Sequence, residues 1–293
     1  MIRSGHKSAI DSSYRGLSRA YSSTGLCLLM AYLRATGVFF MIIFFFVIGV
    51  PLQWIVLRLS LPGSHVLPLA FNRMLLSFLQ IRVVVHGGAA RDAQEAHLPQ
   101  LLVANHVSWT DIPALGTIHT ISFLAKREVS RWPIVASFAR LQRTLFVDRD
   151  SRKSIRDANA AMAARMLEGG WVALFPEGTT HDGISLGRFH SSHFAAAREL
   201  LLGAAHVKAV RVQPVAIRYS AAHAAWLGDD LLLPHVMQLV KGAPVVCDIF
   251  MCEPVIFDRN ADRKLIAHAC NQRIEAVLAA RGTTKSLGAD GAL

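Results

Sequence analysis

A run of 23 consecutive residues without a charged side chain, from Ala35 to Leu57, limits most strongly what this 293-residue chain can fold into. Arg34 and Arg58 bracket the run. A helix of that length rises about 34 Å, which is enough to cross the ~30 Å hydrocarbon core of a bilayer. The run is too long for the apolar region of a signal peptide, which spans ~7–15 residues. We therefore expect a retained membrane helix with a kink at Pro51.

Two alternatives to a spanning helix stay open. A core helix inside a soluble domain is disfavoured, because the run is apolar around its whole circumference. A half-inserted hairpin that is broken at Pro51 and stays in one leaflet is a serious competitor. Basic residues flank both ends of the run, so the charge asymmetry that normally sets orientation is weak.

The positive charge of the chain is concentrated in two places. Thirty-one Lys and Arg side chains against 20 Asp and Glu give a formal charge of +11. Residues 1–61 carry +5, and the 40 residues from Lys126 to Arg165 carry +6. A basic stretch in a chain that is 53% apolar indicates a membrane surface or an anionic substrate, and it disfavours a nucleic-acid ligand. The same composition excludes a disordered or fibrous protein.

Beyond residue 61, apolar strands alternate with helices, which is the pattern of an α/β fold. Helices are predicted at Ser154–Leu167, Ser191–Leu202 and Asp262–Ala280. Segments rich in Val, Ile, Leu and Phe predict strands that are buried on both faces. They are Ile81–His86, Leu101–Ala104, Ile121–Ala125, Thr144–Val147, Trp171–Phe175, Val210–Tyr219 and Val245–Met251.

A polar turn follows the second predicted strand and contains His106, with Asp111 five residues later. Strand ends are where α/β folds place reactive groups. His106 is a candidate general base, because a neutral imidazole titrates near working pH, and Asp111 is a candidate to hold its tautomer. The alternative for Ser108, Thr110 and Asp111 is an ordinary cap of the following helix. The spacing alone is weak support, since 13 His and 13 Asp predict roughly 0.6 such pairs by chance.

Two further polar groups stand at predicted strand ends. Arg149 offers a rigid fork of donors that suits a phosphate or a carboxylate. Glu177 follows an apolar strand, and Gly178 permits close approach of the backbone to a ligand. The alternatives are a surface ion pair for Arg149 and an ordinary turn with a solvated Glu177.

The segment from Gly183 to Gly187 matches the Gly-x-Ser-x-Gly pattern of serine hydrolases around Ser185. That nucleophile turn needs an apolar strand leading into its first Gly, but the residues before Gly183 are polar. A serine hydrolase that uses Ser185 is therefore one alternative function, and a non-catalytic, membrane-tethered anion-binding module is another. No metal is expected, because His181, His190 and His193 are loosely spaced.

Four blocks of residues occur in the order of the motif blocks of the glycerolipid acyltransferases, and the chain resembles that family from about residue 82 to 219. In particular, it looks like a 1-acylglycerol-3-phosphate acyltransferase. Each block is modest alone, but four in order are highly specific. They are Asn105-His106-x4-Asp111, Phe146-Val147-Asp148-Arg149, Phe175-Pro176-Glu177-Gly178-Thr179 and Val212-Gln213-Pro214-Val215-Ala216-Ile217.

The resemblance implies an α/β fold in which a mixed sheet is flanked by helices and preceded by an N-terminal membrane helix. It implies that His106 is the catalytic base and that Asp111 is its orienting carboxylate. Arg149 stands where the family binds an acceptor phosphate. The substrate-binding residues that the resemblance implies, or that could compensate for its gaps, are Lys126, Arg143, Arg149, Glu177, Gly178 and Thr179.

Two positions depart from the family pattern. The Gly that often opens the second block is Arg143, and the Arg that often closes the third block is Thr180. The second change removes a guanidinium from the expected phosphate site, for which Arg143 or Arg188 could compensate. The acceptor therefore stays open between lysophosphatidate and lyso-ornithine lipid, whose head group is an amino acid. The surroundings of Arg143 and Thr180 are similar to the lyso-ornithine lipid subgroup.

The implied activity is transfer of an acyl group from a thioester to the free hydroxyl of a lysolipid. The donor would be acyl-CoA or acyl carrier protein, and no cofactor is implied. Both donors are cytosolic, so we expect the catalytic domain to face the cytoplasm at the inner membrane. The expected organisation is a basic segment (1–25), a membrane helix (26–61), an acyltransferase domain (62–281) and a flexible tail (282–293).

Overall fold

A mixed sheet of eight strands lies at the centre of the described chain. The computed structural model describes residues 5–87, 97–228 and 230–286, and for residues 5–24 and 281–286 it describes the backbone alone. The α/β prediction is confirmed, and the seven predicted strands agree with the structure to within one residue at each end. The strands are β1 Ile81–His86, β2 Gln100–Ala104, β3 Ile121–Lys126, β4 Leu145–Val147, β5 Trp171–Leu174, β6 Ala209–Tyr219, β7 Val245–Met251 and β8 Val255–Asp258.

The order of the strands is β1-β7-β6-β2-β5-β3-β4, and β8 pairs with the first part of β6. Strands β2 to β6 run parallel to one another, whereas β7 and β8 run antiparallel to β6. Because parallel strands end at the same side of a sheet, the turns after β2, β3, β4, β5 and β6 all emerge at one edge, which we call the carboxyl edge.

Helices cover both faces of the sheet. The prediction of a helix at Ser154–Leu167 is confirmed, and the helix begins slightly earlier because the Ser151 hydroxyl accepts the Ser154 N–H (3.2 Å) as a cap. The helices are α1 Gly5–Phe44, α2 Val50–Arg58, α3 Val66–Phe78, α4 Asp111–Leu115, α5 Pro133–Leu141, α6 Arg152–Leu167, α7 Ala195–Gly203, α8 Leu232–Lys241 and α9 Arg263–Ser286.

The predicted boundaries at the two chain ends differ from the structure. Helix α1 begins at Gly5, so the expected change of structure at residue 25 falls inside a helix. Helix α9 continues to Ser286, and the first residues of the predicted tail are therefore helical. The rest of that tail, residues 287–293, lies outside the described residues.

Two apolar cores lie on opposite faces of the sheet. The side chains of β2 point alternately into one core and the other. Leu102 and Ala104 point into the core beneath α1, α3 and α8, whereas Leu101 and Val103 point into the core beneath α6, α7 and α9. Successive side chains of a strand point to opposite faces, so a strand that is covered on both sides must be apolar at every position. All five residues of β2 are buried accordingly.

The apolar N-terminal run forms one long helix with a π-helical turn at Phe45–Gly49 between α1 and α2. The Val50 N–H reaches back five residues to the Phe45 carbonyl. Pro51 explains this irregularity, because proline lacks an N–H and its ring clashes with the carbonyl four residues earlier. The wider π turn accommodates the ring without ending the helix.

Between Gly25 and Arg58, where side chains are described, one side of this helix packs against the rest of the protein. Gly25–Arg58 is long and apolar enough to cross a membrane. Ala31, Val38, Met41, Phe45 and Gln53 recur on one stripe and are buried on the domain. The large apolar side chains on the other side are exposed; they include Leu29, Leu33, Phe39, Phe40, Phe44, Val47 and Trp54.

Candidate active site

The site begins at the turn after β2, and Asn105 fixes the start of that turn. The Asn105 side chain donates from Nδ2 to the Ile217 carbonyl (2.9 Å) and accepts the Ile217 N–H at Oδ1 (2.7 Å). The side-chain amide thus imitates one more residue of the β2–β6 ladder after β2 has ended. His106, the next residue, is held at the carboxyl edge of the sheet as a result.

His106 and Asp111 form a hydrogen-bonded pair in this turn. The distance from His106 Nδ1 to Asp111 Oδ2 is 2.8 Å, and the two side chains are 18% and 0% exposed. Phe175 stacks on the imidazole with ring centroids 4.1 Å apart. A carboxylate at Nδ1 selects the tautomer that is protonated there, which leaves Nε2 as a proton acceptor. Within the described part of the chain, Nε2 has no hydrogen-bond partner.

Both oxygens of the Asp111 carboxylate are fixed. Oδ2 also accepts the N–H groups of Val107 (2.7 Å) and Ser108 (3.0 Å). Oδ1 accepts the Tyr219 hydroxyl (2.8 Å), whose oxygen lies 2.8 Å from Thr110 Oγ1. Burial, followed by the negative charge of Asp111, raises the pKa of Tyr219 well above its ordinary value. The phenol therefore stays protonated and continues to donate to Asp111.

Glu177 connects the His106 turn to the loop after β5. Its Oε1 accepts the His106 N–H (2.7 Å), its Oε2 accepts the Gly187 N–H (2.7 Å), and His181 Nε2 lies 3.6 Å from Oε2. Burial raises the pKa of the Glu177 carboxyl, and the hydrogen bonds from the two backbone N–H groups oppose that shift. The side chain is 1% exposed, so its contacts are internal to the protein.

Arg149 emerges from the end of β4 and bonds to the Gly178 carbonyl through Nη1. Gly178 has a φ of +80°, and a β-carbon at that position would lie 3.2 Å from Arg149 Nη1. Burial lowers the pKa of Arg149, and the charge of Glu128 opposes the shift. His193 lies beside Arg149, and burial followed by the Arg149 charge lowers the pKa of His193 from 6.5 to about 4. His193 is therefore neutral at neutral pH.

Comparison with known proteins shows which family the chain belongs to. The family model for acyltransferases matches residues 82–218. A lyso-ornithine lipid O-acyltransferase of Rhizobium meliloti is 36% identical over 242 residues, which are 79% of this chain and 81% of the relative. The chain belongs to the acyltransferase family. The lyso-ornithine lipid O-acyltransferase of Pseudomonas aeruginosa is 38% identical over 77% of the chain and 85% of the relative.

Other relatives of this acyltransferase match over different lengths. A 1-acyl-sn-glycerol-3-phosphate acyltransferase of Neisseria gonorrhoeae is 34% identical over 129 residues, which are 44% of this chain and 48% of the relative. A crystal structure of the 1-acyl-sn-glycerophosphate acyltransferase PlsC of Thermotoga maritima superposes with a TM-score of 0.52 at 21% identity. It covers 86% of this chain and 95% of that protein. That likeness confirms the fold that the resemblance implied.

The structure separates the predicted substrate-binding residues of the acyltransferase into two groups. Lys126 ends β3 at the carboxyl edge, and Thr179 is exposed on the loop that follows β5. Arg143 precedes β4 and lies at the opposite edge of the sheet, where its guanidinium pairs with Glu168 (2.8 Å). The structure therefore does not bring Arg143 to His106, and the +6 stretch is not a single surface.

Arg143 stands where the family often has Gly, and its backbone conformation is one that suits glycine. Its φ is +59°, a left-handed conformation that glycine adopts freely and other residues adopt at a cost of roughly 1–2 kcal/mol. Thr180, the other departure, donates from its hydroxyl to the Trp226 carbonyl and lies in the wall of the site. Arg188 is exposed next to Gly187.

Ser185 occupies an exposed turn and has none of the surroundings of a hydrolase nucleophile. The Asp182 carboxylate accepts the Ser185 N–H (3.0 Å) and the Ser185 hydroxyl (3.2 Å). No strand leads into Gly183 in the described loop. Ser185 is thus one of the groups that hold this turn together, and the hydrolase alternative has no structural support.

Sequence reasoning missed Tyr219 as a residue of the site. Tyr219 was recognised only as the end of a strand, and Thr110 only as a candidate cap, although they complete the hydrogen bonding of Asp111. The available signal was that β6 ends at the same edge as β2, so that a polar residue at its end faces the His106 turn. His193 was considered only as a metal ligand.

Proposed function

We propose that this acyltransferase transfers an acyl group from a thioester to the free hydroxyl of lyso-ornithine lipid. The observation that carries the proposal is the His106–Asp111 pair, with Nδ1 bound to a buried carboxylate and Nε2 facing the carboxyl edge. The pair has the arrangement of a general base with its orienting carboxylate. A thioester is already activated, so no protein nucleophile is required.

The proton moves between the acceptor, His106 and the leaving thiolate. His106 Nε2 takes the hydroxyl proton while the hydroxyl oxygen attacks the thioester carbonyl carbon. The imidazolium that results is stabilised by Asp111 at Nδ1. The C–S bond then breaks, an ester remains on the acceptor, and the thiolate takes the proton back from Nε2. The imidazole is neutral again at the end of the cycle.

Asp111 and Glu177 differ in the parts they play in this mechanism. Asp111 contacts the imidazole itself, whereas Glu177 contacts the backbone of His106 and of Gly187. Because the Glu177 side chain is buried, we assign it to positioning the loop that carries Gly178, and not to direct contact with the acceptor. Arg149 is the residue of this group that we assign to the head group.

Two observations favour an amino-acid head group. Three relatives named lyso-ornithine lipid O-acyltransferase match 77–79% of the chain and a fourth matches 61%, whereas the 1-acyl-sn-glycerol-3-phosphate acyltransferase of Neisseria gonorrhoeae matches 44%. Thr180 stands where the family often has an Arg, and its hydroxyl is committed to the Trp226 carbonyl. A single guanidinium at Arg149 suits the one carboxylate of an amino acid better than the double charge of a phosphate monoester.

The acyl donor, acyl-CoA or acyl carrier protein, would bind next to Arg149. Helix α6 starts directly after β4, so its positive N-terminal end faces the carboxyl edge. Arg152, Lys153 and Arg156 are exposed on its first two turns, and they supply positive charge for the phosphates of coenzyme A or for an acidic carrier protein.

We infer that the apolar helix lies in the plane of the membrane surface. The buried stripe from Ala31 to Gln53 extends over 23 residues, a rise of about 33 Å, and α3, α5 and α8 pack along it. A helix crossing the bilayer would carry those neighbours, with exposed Arg73 and Lys241, into the hydrocarbon. Each such charge costs about 2.5–3.5 kcal/mol at the bilayer centre. We therefore favour a helix that stays in one leaflet, as the half-inserted alternative does, but without the break at Pro51 that a hairpin would need.

The acceptor is tested by measuring kcat/KM for lyso-ornithine lipid and for lysophosphatidate side by side in the same mixed micelles. We expect lyso-ornithine lipid to be the better acceptor by at least about tenfold. Arg149→Ala should lower kcat/KM about 10- to 100-fold, mainly through KM, because a charge-assisted contact is worth ~1.5–3 kcal/mol. Arg143→Ala is the matched control and should stay within about twofold. Preference for lysophosphatidate, or equal losses in the two variants, would contradict the assignment.

A further inference from the structure

Two loops border the His106 turn at the carboxyl edge and pack on the same residue, Val107. The Trp226 N–H of one loop donates to the Val107 carbonyl (3.0 Å). Gly183 of the other loop lies so close that a β-carbon there would be 3.1 Å from a Val107 methyl group. Thr180 joins the two loops through its hydrogen bond to the Trp226 carbonyl. The loops therefore form one continuous rim beside the catalytic histidine.

The outermost side chains of this rim are large and apolar. Ile184 is 85% exposed, Leu231 is 70% exposed and Leu233 is 71% exposed. Single exposed apolar residues are common on protein surfaces. Ile184 lies on one loop of the rim, Leu231 ends the other loop and Leu233 follows in the first turn of α8. Apolar groups gathered around a binding site mark an interaction surface.

Hydrogen bonds hold the rim in this shape. Asp182 Oδ1 accepts the Ile184 N–H (2.9 Å), so the polar groups of that turn are satisfied internally while the isoleucine side chain projects. In the second loop, Asp230 accepts the Leu227 N–H at Oδ2 (3.2 Å) and the Trp226 indole N–H at its carbonyl (2.8 Å). The apolar side chains are thus displayed from fixed turns.

We propose that Ile184, Leu231 and Leu233 insert into the lipid bilayer and seat the cleft on the membrane surface. The inference rests on the proposed function, because a lysolipid presents its hydroxyl at the boundary between head groups and acyl chains. A surface that inserts apolar side chains reaches about 5–10 Å into that boundary. His106 then meets the acceptor without the acceptor leaving the membrane.

Continuity with the N-terminal helix identifies a bilayer as the partner. Leu233 lies in the first turn of α8, and α8 packs against α1, whose outer side is apolar. The rim and the long helix are therefore joined through α8, and both expose large apolar side chains. The acidic side chains of the rim, Asp182 and Asp230, accept hydrogen bonds inside their own loops, which lowers the cost of removing them from water.

The test compares the rim with equally exposed leucines on the other face of the sheet. The rim variant carries Ile184→Asp, Leu231→Asp and Leu233→Asp. The control carries Leu202→Asp and Leu265→Asp, on α7 and α9, where the side chains are 71% and 69% exposed. Acyl transfer by the full-length protein is measured with lysolipid in vesicles and with the same lysolipid in detergent micelles.

We expect the rim variant to lose roughly tenfold or more of its activity on vesicles, because each side chain forfeits the burial of its apolar surface in lipid. Its activity in micelles should stay within about threefold of the unmodified protein, and the control should be unchanged in both. Equal vesicle activities of the rim variant and the control would overturn the proposal. A loss that appears only with acyl carrier protein as donor would also overturn it, and would assign the rim to that protein.

A second measurement reads insertion without turnover, so it separates this inference from the proposed function. A fluorescent label is placed on Ile184→Cys or on Leu202→Cys in a protein that also carries Cys27→Ser, which removes the exposed native thiol. Vesicles that contain lipids brominated along the acyl chain should quench the label at position 184 and not at position 202. Failure of quenching at 184 would refute insertion even if acyl transfer is confirmed.

Discussion

At the scale of single residues, the position of His106 depends on how firmly Asp111 is held. Asp111 accepts hydrogen bonds from the Val107 and Ser108 backbone, from His106 and from Tyr219. Its side chain is completely buried, and a buried carboxylate is stable only when such bonds replace water. The direction in which Asp111 presents Oδ2 to His106 is therefore set in part by Tyr219 at its other oxygen.

Tyr219→Phe removes the donor to Asp111 Oδ1 and preserves the packing of the ring. We expect kcat to fall about 10- to 100-fold, which corresponds to the ~1.5–3 kcal/mol of a hydrogen bond to a charged group. KM for the lysolipid should stay within about twofold, because the Tyr219 hydroxyl is bound to Asp111 and Thr110. Steady-state kinetics in mixed micelles checks this split.

The control for that experiment is Tyr32→Phe, a tyrosine that is 67% exposed on the N-terminal helix. It should leave both constants unchanged. Thr110→Val removes the hydroxyl that stands behind the Tyr219 oxygen, and we expect a smaller loss of kcat in the same direction. An unchanged kcat in Tyr219→Phe would show that the Asp111 geometry is set by the backbone alone.

The sequence predicts those site residues that lie close together in the chain. His106 and Asp111 are five residues apart in one turn, so their pairing follows from local spacing and a strand end. Tyr219 lies 108 residues beyond Asp111, and only the pairing of β2 with β6 brings the two together. Arg143 was misplaced because the strand β4 carries the chain from one edge of the sheet to the other.

At the scale of elements, the turn Ser191–Phe194 joins α6 to α7 through His193. His193 Nδ1 lies 3.0 Å from Asn159 Oδ1 on α6, and Asn159 Nδ2 donates to the Ser192 carbonyl (3.1 Å). The neutral imidazole fills this space beside Arg149 at no electrostatic cost. Burial disfavours the protonated imidazole, and the positive charge of Arg149 adds to that effect, so the pKa of His193 is lowered to about 4.

The lowered pKa of His193 predicts that stability falls on acidification. Between pH 6.5 and pH 4 the unfolded chain protonates this imidazole while the folded protein does not, so the free energy of unfolding decreases as pH falls through that window. The loss attributable to His193 is up to about 3 kcal/mol at pH 4. Thermal or urea unfolding in detergent over that pH range measures it.

His193→Gln keeps the hydrogen bond to Asn159 and cannot be protonated. Between pH 6.5 and pH 4 we expect the free energy of unfolding to fall less in the variant than in the unmodified protein. The reason is that the variant lacks the one proton that His193 takes up on unfolding. His119→Gln is a control, because the His119 ring stacks on Trp171, with ring centroids 4.1 Å apart, and is not next to Arg149. Identical pH profiles of His193→Gln and the unmodified protein would contradict the explanation.

Strands were predicted more completely than helices, for a physical reason. Three helices that the sequence reading passed over, α3, α5 and α8, carry Pro68, Pro133 and Pro234 within their first turn. Proline in a sequence usually indicates the end of a helix. It is tolerated in the first turn because the first N–H groups of a helix have no intrahelical partner. Strand β8 was missed because it has only four residues, too few for an alternation of apolar and polar side chains to be recognised.

At the scale of the whole molecule, the long apolar helix and the sheet form a single body. The buried stripe of the helix packs on α3 through Gly37 and Phe78 and through Phe45 and Phe71, whose rings are 5.3 Å apart. At the other end, the Gln53 side chain donates to the Ser64 carbonyl (2.7 Å). The helix is thus attached to the catalytic domain along its whole apolar length, as an in-plane helix requires.

An in-plane helix predicts that both of its ends lie on the same side of the membrane. Single cysteines are introduced as Ser23→Cys and Ser64→Cys in a protein that carries Cys27→Ser. An impermeant maleimide should label both positions from the cytoplasmic side and neither from the opposite side, in sealed vesicles of each orientation. Labelling of the two cysteines from opposite sides would show that the helix crosses the bilayer.

The central claim is that the His106 imidazole is the base of acyl transfer, and the kcat of His106→Ala on lyso-ornithine lipid tests it most directly. His86→Ala is the matched control, because His86 also bonds an aspartate, Asp248 (2.7 Å), but lies on β1, three strands away from β2. We predict that His106→Ala loses about 10²–10⁴-fold in kcat, the usual contribution of a general base, while His86→Ala stays within about twofold and both unfold like the unmodified protein. A folded His106→Ala protein with unchanged kcat would contradict the claim.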